Sequence, residues 1–122
     1  MVIYRSALFY LHSEGNKMGK KFKSPEPLPT PRERELLVIL IEECAEVQHR
    51  ATKLLRFGRN EVQEGQPYSN MARLSQEVGD LVTMLDLLAN VHLLDPEIVR
   101  IQMTEKTRKL AKYLQSDEGA SA

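Results

Sequence analysis

The chain has 122 residues, 42% of them hydrophobic and 28% charged, with 17 basic and 17 acidic residues and a formal net charge of zero. Such a length supports one domain with a modest core, and the balanced charge argues against a general nucleic-acid binder, which shows a basic excess. The single cysteine, Cys44, excludes an intrachain disulfide framework and fits a reducing cytoplasm, while no apolar run reaches the roughly 18 residues of a membrane span.

Residues 1–23 show no periodic pattern. The segment MVIYRSALFYLH resembles a secretory leader, but Arg5 breaks its apolar run and no small-residue cleavage site follows. A cytoplasmic protein is therefore expected, and Met18, which opens MGKKFK, offers a second candidate start. The basic cluster Lys17, Lys20, Lys21 and Lys23 reads as a solvated tail rather than a phosphate contact. SPEPLPTP, residues 24–31, holds four prolines and cannot continue a helix. Residues 1–29 thus form an extension and lead-in to a helical domain over 30–115, and SDEGASA, residues 116–122, is expected to be disordered.

The first helix is expected over residues 31–57. Thr30 is a good N-cap, Pro31 suits the first helical position, Glu33 completes a capping box and Gly58 is a natural stop. Leu36, Ile39, Leu40, Val47 and Leu54 form its apolar stripe. Residues 59–70 are polar, contain Gly65 and Pro67, and read as a loop. Ser69 or Asn70 can cap a second helix running to about His92, with Leu74, Leu81, Met84 and Leu88 as its stripe. Asp95-Pro96 opens a third helix, reaching about Leu114. No strand pattern competes. The fold class is all-α, an antiparallel helical bundle of three main helices completed by oligomerisation. The last expectation rests on Leu81, Val82, Leu85, Leu87 and Leu88, which make the second helix apolar around much of its circumference. A homodimer or homotetramer would cover the surplus.

Carboxylates interrupt both stripes. Glu42-Glu43-Cys44-Ala45-Glu46 lies inside LLVILIEECAEV, and Glu77-Val78-Gly79-Asp80 inside RLSQEVGDLVTMLDLL. Positions three apart share a helix face, so Glu43 pairs with Glu46 and Glu77 with Asp80. Packing the two helices brings four acids together beside apolar neighbours. Buried like charge is costly, so a cation is called for. All-oxygen ligands suit a hard divalent ion such as Mg²⁺, with Mn²⁺ as a substitute. Gly79, disfavoured in a helix by about 1 kcal/mol, reads as a device for close helix approach or ligand access. An isolated i,i+3 acid pair is more often a solvated face; two of them in register with the apolar stripes are less ordinary.

The order EExxE, a spacer, then ExxD resembles the signature of the all-α nucleoside triphosphate pyrophosphohydrolases, which include MazG-like proteins, the dimeric dUTPases and phosphoribosyl-ATP pyrophosphatase. Here it reads IEECAEV and SQEVGDL, continuing through KLLRFG and loosely through MTEKTRKLAKYL, so that the resemblance spans about residues 31–114. It implies Mg²⁺-dependent cleavage of a nucleoside triphosphate to the monophosphate and pyrophosphate. The implied metal ligands are Glu43, Glu46, Glu77 and Asp80, with Glu42 as a further ligand, a supporting group or the base that orients water. Lys53, Arg56, Lys106 and Lys109 are the candidate phosphate partners, although each taken alone reads as a solvated helix charge. One departure concerns the Asn-x-Lys-Phe-x-x-Arg segment of longer MazG proteins, where this chain keeps Lys106 but has Thr104 and Thr107 in place of the asparagine and the aromatic, and lacks the arginine.

Two other functions fit the same acids: a non-hydrolytic metal-binding bundle, and a helical dimerisation module. Glu46 and His49 form a single ExxH, whereas a di-iron bundle needs two together with further glutamates, so His49 is expected on the helix surface. Cys44 is expected as a small core residue. Tyr68 and Phe57 are expected in loop or core roles, with base stacking as the functional alternative. Asp86 and Asn90 are candidates for polar contacts in an interface or pocket.

Overall fold

The computed structural model describes residues 28–115 and is helical wherever it is regular, with no strand among the described residues. Helix α1 spans Pro31–Phe57, α2 Asn70–Asn90 and α3 Pro96–Tyr113. No described helix is long and apolar enough to cross a membrane. The expectations for the N-terminal extension up to residue 27 and for the tail lie outside the described residues.

Each boundary has a local cause. At the start of α1, Thr30 Oγ1 accepts from the Glu33 amide at 3.2 Å, and Glu33 Oε2 accepts from the Thr30 amide at 2.8 Å. This reciprocal capping box satisfies two donors that the first turn would otherwise leave bare. Gly58 ends the helix at φ 84, a conformation that favours glycine, and its amide donates to the Leu54 carbonyl. Ser69 caps α2 by accepting from the Ala72 amide at 3.2 Å. The end of α2 falls two residues before the expected His92. There His92 takes the left-handed conformation at φ 61, its amide donates to the Ala89 carbonyl, and the Leu93 amide donates to the Leu88 carbonyl at 2.9 Å. This is a Schellman closure with histidine in the place usually given to glycine. Asp95 Oδ1 caps α3 through the amides of Glu97 and Ile98.

The α1 and α2 helices pack side by side. Leu36 of α1 shares a core with Met84 and Leu88 of α2, whereas Gly58 at the other end of α1 meets Asn70 at the start of α2. The two helices therefore run antiparallel. Leu37, Leu40, Val91, Leu93 and Leu94 close around the core, so the Schellman turn folds its own leucines back onto the seam. The connecting loop is clasped by Asn70, which is 3% exposed. Its Nδ2 donates to the Gly58 carbonyl at 2.9 Å and to Glu61 Oε2 at 2.7 Å. The sequence suggested Asn70 only as a cap; Ser69 does that work, and Asn70 pins both ends of the loop.

Of the expected α1 stripe, Leu36 is buried, Leu40, Val47 and Leu54 are half-buried, and Ile39 is exposed. Helix α3 makes at most marginal contact with the other two, and within one chain the packed unit is the α1–α2 hairpin. The expected surplus face is also redistributed. Leu88, at 1% exposure, is the most buried of the large side chains and offers nothing to a partner. Val82 and Leu87 are exposed, as are Val38, Ile41 and Leu55 of α1 and Ile98, Ile101 and Leu110 of α3.

Candidate metal centre

Two turns along the seam from the Leu36–Leu88 core, the apolar pattern gives way to acids. Glu43 projects from α1, and Glu77 and Asp80 from successive turns of α2. One carboxylate oxygen from each lies within 4.8 Å of the others. Glu43 and Glu77 are half-buried, while Asp80 is exposed and leaves that side open to solvent. The i,i+3 spacing within α2 and the antiparallel pairing of the helices together account for the convergence.

The electrostatics follow from three like charges at this separation. The Glu43 carboxyl is raised above its ordinary value of 4.5, first by desolvation and then by the charges of Asp80, Glu77, Glu42 and Glu46. Among the described residues, one cation answers them at close range: Arg50 Nε stands 3.5 Å from Glu77 Oε1 across the helix interface. The donor set is all carboxylate oxygen, half-sheltered and open on one side, and this fits a hard divalent ion.

The other expected site residues are distributed more widely. Glu46 is exposed and lies outside the convergent trio, although close enough to act on Glu43, and Glu42 is likewise exposed and acts on Glu43 as its neighbour. Lys53 and Arg56 sit about three to four turns beyond Glu43 along α1, with Lys53 Nζ 5.5 Å and Arg56 Cζ 5.1 Å from the centre of the Phe57 ring. Lys53, Phe57, Glu61 and Gln63 line a shallow pocket at this end of the hairpin. Lys106 and Lys109 are exposed on α3, which does not pack on the hairpin, so a single chain does not bring them to the acids.

Several side residues change standing. Cys44 is exposed rather than in the core, because Leu36, Leu40 and Glu43 define the inward face and Cys44 points off it. His49 is on the surface as expected, Tyr68 and Phe57 are both exposed, Asp86 is half-buried and Asn90 exposed. A Cβ added at Gly79 would meet nothing within 4 Å, so close helix approach does not explain that glycine. Arg50 was missed in the sequence. Its signal was its spacing, seven residues after Glu43 and hence two turns along the same face. Comparison with protein-family models, with curated proteins and with solved structures finds no match to this chain.

Proposed function

We propose that the chain is a Mg²⁺-dependent nucleoside triphosphate pyrophosphohydrolase of the all-α type, releasing a nucleoside monophosphate and pyrophosphate in the cytoplasm. The observation that supports it is the convergence of Glu43, Glu77 and Asp80 from two antiparallel helices, in the motif order that resembles that family. Glu43, Glu77 and Asp80 would hold the metal, with Glu46 as a fourth carboxylate once side chains adjust. Bound there, Mg²⁺ would neutralise phosphate charge and lower the pKa of water. Glu42, exposed beside Glu43, is the chain's own candidate to orient water and accept its proton. Lys53 and Arg56 supply positive charge toward phosphate oxygens from the same helix.

Assembly belongs to this proposal. The exposed apolar residues of all three helices, and an α3 left without an intrachain partner, fit a homodimer or homotetramer that completes the bundle and supplies Lys106 and Lys109. Light scattering should give a multiple of 14.0 kDa; a strict monomer at high micromolar concentration would remove this part. The deciding experiment incubates the full chain with Mg²⁺ and a panel of ribo- and deoxynucleoside triphosphates, scoring monophosphate and pyrophosphate. Release of orthophosphate instead would make the chain a hydrolase of another phosphoanhydride bond and overturn the pyrophosphohydrolase reading, whereas no turnover by folded, metal-loaded protein would leave the non-hydrolytic metal-binding bundle as the better account.

A further inference from the structure

We propose that Arg50 is a positioning residue and built-in counter-charge for the acid cluster, holding Glu77 in place and setting how strongly the three carboxylates attract a divalent cation. This inference rests on the metal-site proposal above. The Arg50–Glu77 pair differs from the other ion pairs among the described residues. Arg32–Glu35, Arg100–Glu97 and Arg108–Glu105 are each i,i+3 pairs within one helix, with side chains 45–73% exposed. Pairs of that kind contribute little. Arg50 and Glu77 join α1 to α2, and their side chains are 15% and 20% exposed. The Arg50 Nε is itself buried and, at 3.5 Å from Glu77 Oε1, has no hydrogen-bond partner.

A sheltered guanidinium with an unmet donor is a poor choice for packing alone, since an apolar side chain at such a seam position is often neutral or stabilising. The acids supply the reason for it. Glu43, Glu77 and Asp80 carry three negative charges when ionised and Arg50 one positive, leaving two, the charge of a single divalent ion. Glu42 and Glu46, exposed outside the trio, add negative charge that also acts on Glu43. Without metal, Arg50 relieves repulsion within the trio and keeps Glu77 facing Glu43 and Asp80. With metal bound, the same charge opposes the ion and moderates its affinity.

Three variants of the full chain test this, Arg50→Met, Arg50→Lys and Arg50→Gln, read by Mg²⁺ titration calorimetry and by melting in EDTA and in saturating Mg²⁺. Arg50→Met should bind Mg²⁺ about tenfold more tightly, the scale of a unit charge against a divalent ion at a few ångströms in a water-like dielectric. It should melt lower than the wild type in EDTA, with the gap closing in Mg²⁺. Arg50→Lys should restore a near-wild-type Mg²⁺ affinity. If Arg50→Met does not fold in EDTA, Arg50→Gln, which keeps polarity and loses charge, should show the tighter binding. Equal melting losses with and without Mg²⁺, together with unchanged or weaker Mg²⁺ binding, would make Arg50 a packing residue and overturn the inference. A wild-type chain that binds no Mg²⁺ fails differently, because it removes the metal-site proposal itself.

Discussion

The two ends of one helical seam do opposite things. Where Leu36 meets Met84 and Leu88, the α1–α2 interface is apolar and buried, and every ångström squared removed from water favours the fold. Two turns away the same two helices face each other with Glu43, Glu77 and Asp80, three like charges that oppose the packing they sit in. One backbone arrangement thus serves both ends, and the apolar end must hold the helices together while the acidic end strains against them. Under the proposed function, stability and chemistry are separated along the seam, the expected pattern where local preferences yield to function.

Substitutions at each end should therefore move stability in opposite directions. Leu88→Ala should cost about 2–5 kcal/mol, the range for truncating a fully buried leucine, measured by urea unfolding, with Mg²⁺ affinity of the folded fraction preserved. A loss under about 1 kcal/mol would mean that the hairpin core is not what holds the helices. At the acidic end, Glu43→Gln, Glu77→Gln and Asp80→Ala should each cut pyrophosphate release by at least about a hundredfold, beyond what outer-shell partners of a metal typically cost. Circular dichroism melting in EDTA should show Glu43→Gln as stable as the wild type or more so, because it removes repulsion. If these variants unfold while their folded fraction keeps full specific activity, the acids are structural.

Mg²⁺ should erase the difference between the ends. At a hundred times its Kd, it should stabilise the chain by about 2.7 kcal/mol, read as a rise in melting temperature over an EDTA control. The pH dependence sharpens this. Because the folded Glu43 carboxyl lies above 4.5, the native state binds more protons than the unfolded state between 4.5 and the raised value. Without metal, its contribution to stability should then fall as pH rises through that window and level off above it. With Mg²⁺ present the trend should reverse, since the ionised carboxylates bind the ion. Parallel pH curves with and without Mg²⁺ would separate Glu43 from the metal.

Much of this contrast was legible in the sequence. The caps Thr30 and Asp95 and the 3.6-residue stripes fix local geometry, so the three helices, and the placing of Glu77 and Asp80 on one face of α2, follow from spacing. Spacing cannot say how two helices rotate against each other, and that rotation leaves Glu46 outside the trio and Cys44 in solvent. Nor does it show which polar residues pair across the seam: Arg50 reads as one more helix charge until Glu77 is placed opposite. Asn70 is similar, since a cap and a loop clasp have the same residue preference and only the fold distinguishes them. The position of α3 was illegible for another reason, because a helix that makes at most marginal contact with the rest of its chain looks the same in sequence as one packed within it.

The smallest effect tests whether the strain is confined to the seam. Glu33 is acidic, lies in the first turn of α1, and is ten residues before Glu43, so a general intolerance of negative charge in this helix would include it. Its environment argues otherwise. Its carboxylate accepts the Thr30 amide at 2.8 Å and sits at the helix N-terminus, where the peptide dipoles favour negative charge. Glu33→Ala should consequently destabilise, by a fraction of a kcal/mol to about 1 kcal/mol, whereas Glu43→Gln should be neutral or stabilising in EDTA. The Mg²⁺ affinity and pyrophosphate release of Glu33→Ala should equal those of the wild type. Melting curves of Glu33→Ala and Glu43→Gln, run side by side with and without Mg²⁺, check both statements. If Glu33→Ala stabilised the chain, or altered its response to Mg²⁺, repulsion would extend along the whole of α1, and the division of the seam into a holding end and a working end would fail.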